Sequence, residues 1–129
     1  MAVDNGPEVV YHDLINSDET LSLVISKLEN EVELGDLGGA DAVGERLFGE
    51  KNSNNPIRLI DASEREVDQR KFYDLEYSVD SEVNNRHEFA TVVVDRGYLY
   101  TLAASTSEQR WSKMQDTFKR VVSSFTFFI

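Results

Sequence analysis

Several absences limit what this 129-residue chain can be. It contains no cysteine, which excludes disulfide bonds, thiolate metal sites and cysteine nucleophiles. No apolar run reaches the roughly 18 residues that a transmembrane helix needs, and we expect no signal or transit peptide, because no basic segment followed by an apolar one stands at the start. The common catalytic motifs G-x-S-x-G, H-E-x-x-H, G-x-G-x-x-G and the P-loop are also absent. The length suits one domain with its own core.

Positive charge is scarce as well. The chain has 13 Lys and Arg residues against 24 Asp and Glu residues, which gives a formal net charge of -11. Such a chain repels phosphate, so we expect neither a nucleic-acid partner nor direct binding to anionic lipid. Many carboxylates fall in one stretch, which is either a solvated loop or a docking surface for a basic partner. They are Glu29, Glu31, Glu33, Asp36 and Asp41.

Alternation of apolar and polar residues predicts six strands. They cover residues 8–13, 21–28, 57–66, 71–79, 88–94 and 98–104. Arg96-Gly97 stands between the last two, and glycine permits the positive φ that a tight hairpin turn requires. Asp68-Gln69-Arg70 is predicted to form another turn. Strands 88–94 and 98–104 are apolar on both sides, which is typical of strands in the middle of a covered sheet.

Two helices are predicted. The short one starts near Asp41 as its N-cap and continues with Val43, Leu47 and Phe48 as apolar residues. The long one covers residues 107–124, with Thr106 as N-cap and Gln109 completing a capping box. Its apolar residues recur at spacings of three and four, so this side must pack on the sheet. They are Trp111, Met114, Phe118, Val121, Val122 and Phe125.

The apolar end of the chain, residues 125–129, is predicted to pack on the domain or to pair as a strand. The chain as a whole is predicted to have an α+β fold with a mostly antiparallel sheet.

The hairpin permits one prediction about a site. If Asp95 pairs with Tyr98 across the tip, His87 lies opposite Thr106, and Glu108 follows in the first turn of the long helix. His87 and Glu108 are then close at one end of the sheet, where they form either a weak divalent-metal site, for which we predict Zn, or a surface ion pair. Two ligands alone bind a metal weakly, so water or a neighbouring molecule would have to complete its shell.

Weaker candidates for chemistry lie elsewhere. His12 and Asp13 end the first strand and form a second possible metal or contact site. Trp111 is predicted to be a core residue beside a surface Arg110, although the two could instead form a cation–π recognition pair. Nothing places a Ser-His-Asp triad.

A different class of function has some support from the tyrosines. Tyr73, Tyr77 and Tyr100 lie on predicted strands, and buried tyrosines beside carboxylates are used by isomerase-like enzymes. The alternative is therefore a small α+β ligand-binding or isomerase-like enzyme domain. A closed core with no cavity beside these tyrosines would eliminate it.

Several segments in order resemble the PsbP family. R-H-E-F-A-T-V-V-V from Arg86, R-G-Y-L-Y from Arg96, and E-Q-R-W from Glu108 are similar to its R/K-H strand, its G-K-L-Y-T-like strand and its acid-x-R-W helix start. G-P-E-V-V-Y-H-D-L-I from Gly6 resembles the G-P-D-V-V-F-H-D-L-I segment of the cyanobacterial-type branch. The resemblance covers nearly the whole chain, but the G-Y-x-F-x-Y-P-x-G-W hairpin that usually precedes Gly6 is missing.

The resemblance implies a fold and a function. The fold is an α-β-α sandwich around a central antiparallel sheet (Mog1/PsbP-like), with residues 1–129 as a single PsbP-like domain. The function is that of a non-enzymatic extrinsic protein in the thylakoid lumen, peripheral to the membrane. Its partners would be lumenal photosystem II subunits, in the oxygen-evolving complex or in assembly.

Metal binding is a further implication of the resemblance. Family members hold divalent metals such as Zn, Mn or Ca, and the implicated positions match His87 and Glu108 here.

Overall fold

The structure, a computed structural model, describes the backbone of residues 9–16 and all atoms of residues 19–30, 32–46, 57–80 and 85–125. Six strands form one antiparallel sheet in the order β1-β2-β6-β5-β4-β3. They are β1 (Val9–Asn16), β2 (Glu19–Lys27), β3 (Ile57–Val67), β4 (Arg70–Val79), β5 (Arg86–Asp95) and β6 (Tyr98–Ser107). The predicted antiparallel α+β fold is confirmed, and β5 and β6 lie in the middle of the sheet as expected.

The sheet has helices on both sides. A 3-10 turn (Leu34–Leu37) and the short helix α1 (Ala40–Gly44) cover one face, which we call the α1 face. The long helix α2 (Glu108–Ser123) packs on β5 and β6 from the other side, the α2 face. The predicted sandwich is therefore confirmed. Within the ranges described above, neither helix has the length and apolar character required to cross a bilayer.

Both helices begin differently from the prediction. Gly39 rather than Asp41 is the N-cap of α1, and the Asp41 carboxylate accepts a hydrogen bond from the backbone of Ala42 inside the first turn. For α2 the N-cap is Ser107, and no side-chain cap hydrogen bond is made. The capping box built on Thr106 was wrong, because β6 continues through Ser107.

The register of the central hairpin agrees with the prediction. Arg96 and Gly97 form the two-residue tip with φ of 50° and 83°, Asp95 pairs with Tyr98, and His87 lies opposite Thr106. The β3–β4 turn contains only Asp68 and Gln69, because β4 begins at Arg70. Residues 47 and 48 of the predicted short helix and the chain end, residues 126–129, lie outside the described residues.

The core divides between the two faces. The cluster under the 3-10 turn and α1 contains Leu28, Leu34, Leu37, Ala40, Val43, Tyr73, Leu75, Tyr77, Ala90, Val92 and Leu99. The cluster under α2 is smaller and contains Ala104, Trp111, Phe118 and Val122. Alternation along the strands explains the division, since neighbouring residues of β5 such as Phe89 and Ala90 point to opposite faces.

Candidate functional site

His87 lies near the start of β5 on the α2 face, and both of its ring nitrogens face carboxylates. Its Nδ1 is 2.8 Å from Oε1 of Glu108, and its Nε2 is 2.8 Å from Oε2 of Glu76. The predicted proximity of His87 and Glu108 is thus confirmed. The alternative of a surface ion pair is wrong for His87, which is buried at 5% exposure. Only Glu108, with a side chain 47% exposed, lies at the surface.

Glu76 is the member of this group that the sequence reasoning missed. It lies on β4 and pairs with Phe89 in the register between β4 and β5. The strict alternation of residues 71–79 already placed Glu76 on the polar side of its strand. The pairing of β4 with β5 was not predicted, because local patterns do not determine which strands lie side by side.

The hydrogen-bond pattern constrains the protonation of His87. An ionised carboxylate only accepts hydrogen bonds, so each ring nitrogen must carry a proton to bond its partner. Only the doubly protonated imidazolium can donate to Glu76 and Glu108 at once, whereas a neutral ring satisfies one of them. The arrangement is that of a histidine held between two carboxylates, one at each ring nitrogen.

Trp111, on α2, covers the ring of His87. Its ring stacks on the imidazole of His87 with centroids 3.9 Å apart and planes 14° from parallel, and Phe118 meets its edge at 6.2 Å. Lys119 stands beside them, with Nζ 3.7 Å from Oε1 of Glu76 and 6.0 Å from the Trp111 ring centroid. The prediction that Trp111 is a core residue is confirmed. We call His87, Glu76, Glu108 and Trp111 the His87 cluster.

Arg110 has a different role from the one predicted. Its guanidinium binds the carboxylate of Glu19 on β2, with Nη2 3.2 Å from Oε1 and Nε in contact with Oε2. Glu19 is 2% exposed and also accepts a hydrogen bond from the Thr106 hydroxyl at 3.3 Å. Arg110 is therefore not a free surface residue, and its partner was missed because Glu19 reads as part of a polar turn.

These contacts explain the acid-x-Arg-Trp sequence at the start of α2. Glu108 and Trp111 hold His87 of β5, and Arg110 holds Glu19 of β2. The backbone N–H of Glu108 donates to the carbonyl oxygen of Asn85 at 2.9 Å. The motif thus fixes the first turn of α2 to two strands that are not neighbours in the sheet.

The predicted metal site has only two ligands that can meet. An ion on the Nδ1 side of His87 could be reached by the exposed Glu108, but Glu76 lies at the opposite ring nitrogen and cannot bind the same ion. The described residues contain no group of three or more His, Asp or Glu side chains that could hold a metal. Metal binding at His87 and Glu108 stays a prediction, and it requires that Nδ1 of His87 carries no proton.

The second candidate site also stays a prediction. The register of β1 with β2 places His12 opposite Ser22 and Asp13 opposite Leu21. The side chains of His12 and Asp13 lie outside the described atoms, so their orientation is not stated.

Two of the three tyrosines that motivated an enzyme, Tyr73 and Tyr77, make hydrogen bonds within the protein. The Tyr73 hydroxyl donates to the carbonyl oxygen of Gly38 at 2.6 Å, and Tyr77 bonds the carboxylate of Glu88. Burial raises the pKa of Tyr73, and burial followed by the charge of Glu88 raises the pKa of Tyr77 well above its ordinary value. Both hydroxyls are thus engaged with groups of the protein itself, which weakens the support for an isomerase-like site built on Tyr73 and Tyr77.

Fold and site together define a class of protein. It is an α-β-α sandwich in which buried charged groups on the α2 face hold a helix in place. The PsbP family model matches residues 1–127. The chain belongs to the PsbP family.

The similarity to individual relatives extends over nearly all of the chain. A protein named CyanoP from Synechocystis sp. is 40% identical over 93% of this chain and 66% of its own length. CyanoP from Thermosynechococcus vestitus is 35% identical over 96% of this chain and 73% of its own length. The solution structure of CyanoP from Synechocystis sp. superposes with a TM-score of 0.82 at 38% identity, covering 97% of this chain and 76% of that one.

Proposed function

We propose that the protein is a non-enzymatic accessory or assembly factor of photosystem II, acting at the lumenal side of the thylakoid membrane. The observation that carries the proposal is the family match over residues 1–127, together with the acid-x-Arg-Trp motif assembled around His87. The buried groups of the His87 cluster contact one another and fix the position of α2, which supports a binding role over catalysis. An acidic protein without a membrane-crossing helix in its described part suits a peripheral position.

The docking surface we propose is the exposed rim of the His87 cluster. Glu108 and Lys119 are each nearly half exposed, and Arg110 is about one-third exposed. Their charged groups contact His87, Glu76 and Glu19, which holds them in fixed positions at the surface. A partner gains affinity from such preorganised groups, because little side-chain entropy is lost on binding.

The test uses the tagged chain as bait in detergent-solubilised thylakoids. We expect photosystem II subunits to be recovered and expect Glu108→Gln to reduce their recovery at least about threefold, since rim charges contribute modestly to binding. Glu45→Gln, which neutralises an exposed carboxylate on the opposite face, is the matched control and should bind like wild type. If the wild-type bait recovers no photosystem component, the proposed function is refuted. If Glu108→Gln and Glu45→Gln recover photosystem II subunits to the same extent, the proposed docking surface is refuted.

We also propose that the His87 cluster binds a divalent cation weakly, through Nδ1 of His87 and the carboxylate of Glu108. What supports this is the exposure of Glu108 and its 2.8 Å approach to the ring nitrogen. Calorimetric titration with zinc chloride should give weak binding to wild type that is lost in His87→Ala and retained in Glu45→Gln. Identical titration curves for His87→Ala and wild type would end the proposal.

A further inference from the structure

Strand β3 forms one outer edge of the sheet. Among the described residues, no strand pairs with its outer side. The backbone along that side therefore presents N–H and C=O groups that a further strand could bond. Pairing of β3 with β4 shifts register between Leu59 and Asp61, so the regular part of the strand is residues 61–67. We call these seven residues the β3 edge.

Two acids of the β3 edge lie on the same face of the sheet. Residues directly opposite each other in an antiparallel pair share a face, and Glu64 lies opposite Tyr73, a core residue of the α1 face. Glu66 follows two residues later, so it lies on the α1 face as well. Both side chains are exposed, and the rise of a strand separates their Cα atoms by about 7 Å. Their spacing along the edge is thus determined by the backbone.

Neither acid has a partner of opposite charge. Within the described part of the chain, Glu64 and Glu66 make no salt bridge and no side-chain hydrogen bond. Lys71 lies opposite Glu66 in the register of β3 and β4, but the two form no ion pair there. Arg65, the base between the two acids in sequence, is directed to the α2 face, where its Nε is 2.8 Å from Oδ2 of Asp74. The β3 edge thus presents two uncompensated negative charges on one face.

Charge determines which kind of strand fits this edge. A second copy of the chain, paired antiparallel about Ser63, would bring Asp61 opposite Arg65. The same register would place the two Glu64 carboxylates diagonally across the junction, and each copy carries a net charge of -11, so the copies repel each other. A basic strand meets no such repulsion, because basic residues two positions apart lie opposite Glu64 and Glu66. Antiparallel pairing continues the pattern of the whole sheet.

We propose that the β3 edge binds an extended segment of a partner protein, which adds as an antiparallel strand and carries basic residues at two alternating positions. Backbone hydrogen bonds supply affinity, and the basic side chains opposite Glu64 and Glu66 supply specificity. An apolar residue fits opposite Ala62, which packs against the core of the α1 face. The β3 edge contains no residue of the His87 cluster or its rim, so this surface is separate from the docking surface proposed above.

The test is an NMR titration of the complete ¹⁵N-labelled chain with the peptide acetyl-Val-Lys-Thr-Lys-Thr-Val-Thr-amide. In the antiparallel register its lysines stand opposite Glu66 and Glu64, and its second valine stands opposite Ala62. We expect saturable amide shifts that are largest in residues 61–67, together with slower hydrogen exchange of the amides on the outer side of the strand. Absence of a saturable shift there, or unchanged exchange at saturation, would overturn the proposal.

Two peptides of equal charge separate strand addition from simple attraction to an acidic protein. In acetyl-Val-Lys-Pro-Lys-Pro-Val-Thr-amide the prolines remove backbone donors, so this peptide should give no protection from exchange. In acetyl-Val-Lys-Lys-Thr-Thr-Val-Thr-amide the lysines lie on opposite faces of a strand, and binding should be about two- to fivefold weaker. If either control peptide binds the β3 edge as tightly as the first peptide, the proposal is wrong.

Variants of the chain locate the contact. Glu64→Gln and Glu66→Gln change exposed side chains, so both should fold, and each should weaken binding of the first peptide about two- to fivefold through loss of one cross-strand charge pair. Asp116→Asn removes an equal charge on the exposed side of α2 and should leave binding unchanged. Wild-type affinity in both β3 edge variants would contradict the proposal, whatever the result with photosystem II. Sedimentation of the chain as a dimer that the peptide dissociates would assign the β3 edge to a second copy instead.

Discussion

The two faces of the sheet are built in different ways. On the α1 face, eleven buried residues form a nearly continuous apolar core. On the α2 face, an apolar cluster of four buried residues lies beside ion pairs, among them Glu19–Arg110 and His87 between Glu76 and Glu108. Burying charge costs desolvation energy that apolar packing does not, so the charged contacts are a weak source of net stability. Their geometry is specific, however, and it defines where α2 begins and how it is oriented.

The comparison predicts that the largest loss of stability comes from the α1 face. Leu75 is fully buried there, and Leu75→Ala should lower the free energy of unfolding by about 3 kcal/mol, because it removes apolar contacts and leaves a cavity. Urea unfolding followed by circular dichroism measures this. Val121→Ala on α2, where Val121 is 43% exposed, is the control and should change stability by less than about 0.5 kcal/mol. Similar effects of the two substitutions would contradict a core centred on the α1 face.

A smaller effect is expected from breaking the buried ion pair. Glu19→Ala should cost about 2 kcal/mol, because Arg110 loses its partner but is exposed enough to regain some hydration. A double-mutant cycle with Arg110→Ala separates the pair from its surroundings. If the two substitutions were additive, Glu19 and Arg110 would not be coupled and the role assigned to Arg110 would be wrong.

The two carboxylates of the His87 cluster allow a matched comparison. Glu76→Gln should cost about 1.5 kcal/mol, since the Glu76 side chain is mostly buried and faces both His87 and Lys119. Glu108→Gln should cost only about 0.5 kcal/mol, because water screens this more exposed carboxylate. Urea unfolding of both variants at neutral pH measures the two losses of unfolding free energy. A larger loss in Glu108→Gln than in Glu76→Gln would show that Glu76 is not the stronger contact of His87.

An effect smaller than that of Glu76→Gln is expected on the α1 face, and it depends on pH. The pKa of Tyr77 is raised in the folded protein, so the unfolded chain loses its phenolic proton first as pH rises above about 10. Stability associated with Tyr77 is therefore complete below that pH and declines above it. Tyr77→Phe should cost about 1 kcal/mol at neutral pH and should flatten the decline in unfolding free energy at alkaline pH. If the unfolding free energy of Tyr77→Phe declines as steeply at alkaline pH as that of wild type, other groups cause the decline.

Local sequence patterns predicted the contacts that depend on one hairpin. Once Arg96-Gly97 was placed at the tip, the register followed, and with it the approach of His87 to Glu108. Contacts between distant segments were not predictable in this way. Glu19 and Arg110 are 91 residues apart, and their pairing depends on β2 lying beside β6.

The start of α2 shows a second limit of local patterns. Thr106 matched a capping box, but pairing of Arg86 with Ser107 extends β6 past it. The Thr106 side chain is therefore directed onto the sheet face, where it bonds Glu19. Sheet pairing outweighed the local capping preference, and only the complete sheet determines where this strand ends.

The most direct test of the proposed function is crosslinking mass spectrometry in intact thylakoids with a lysine-reactive reagent. Lys113 and Lys119 lie on α2, and Lys71 lies near the start of β4, at the end of the sheet opposite His87. We expect crosslinks from Lys113 and Lys119 to lumenal segments of photosystem II subunits, in excess of those from Lys71. Crosslinks confined to other complexes, or to proteins outside the lumen, would contradict it.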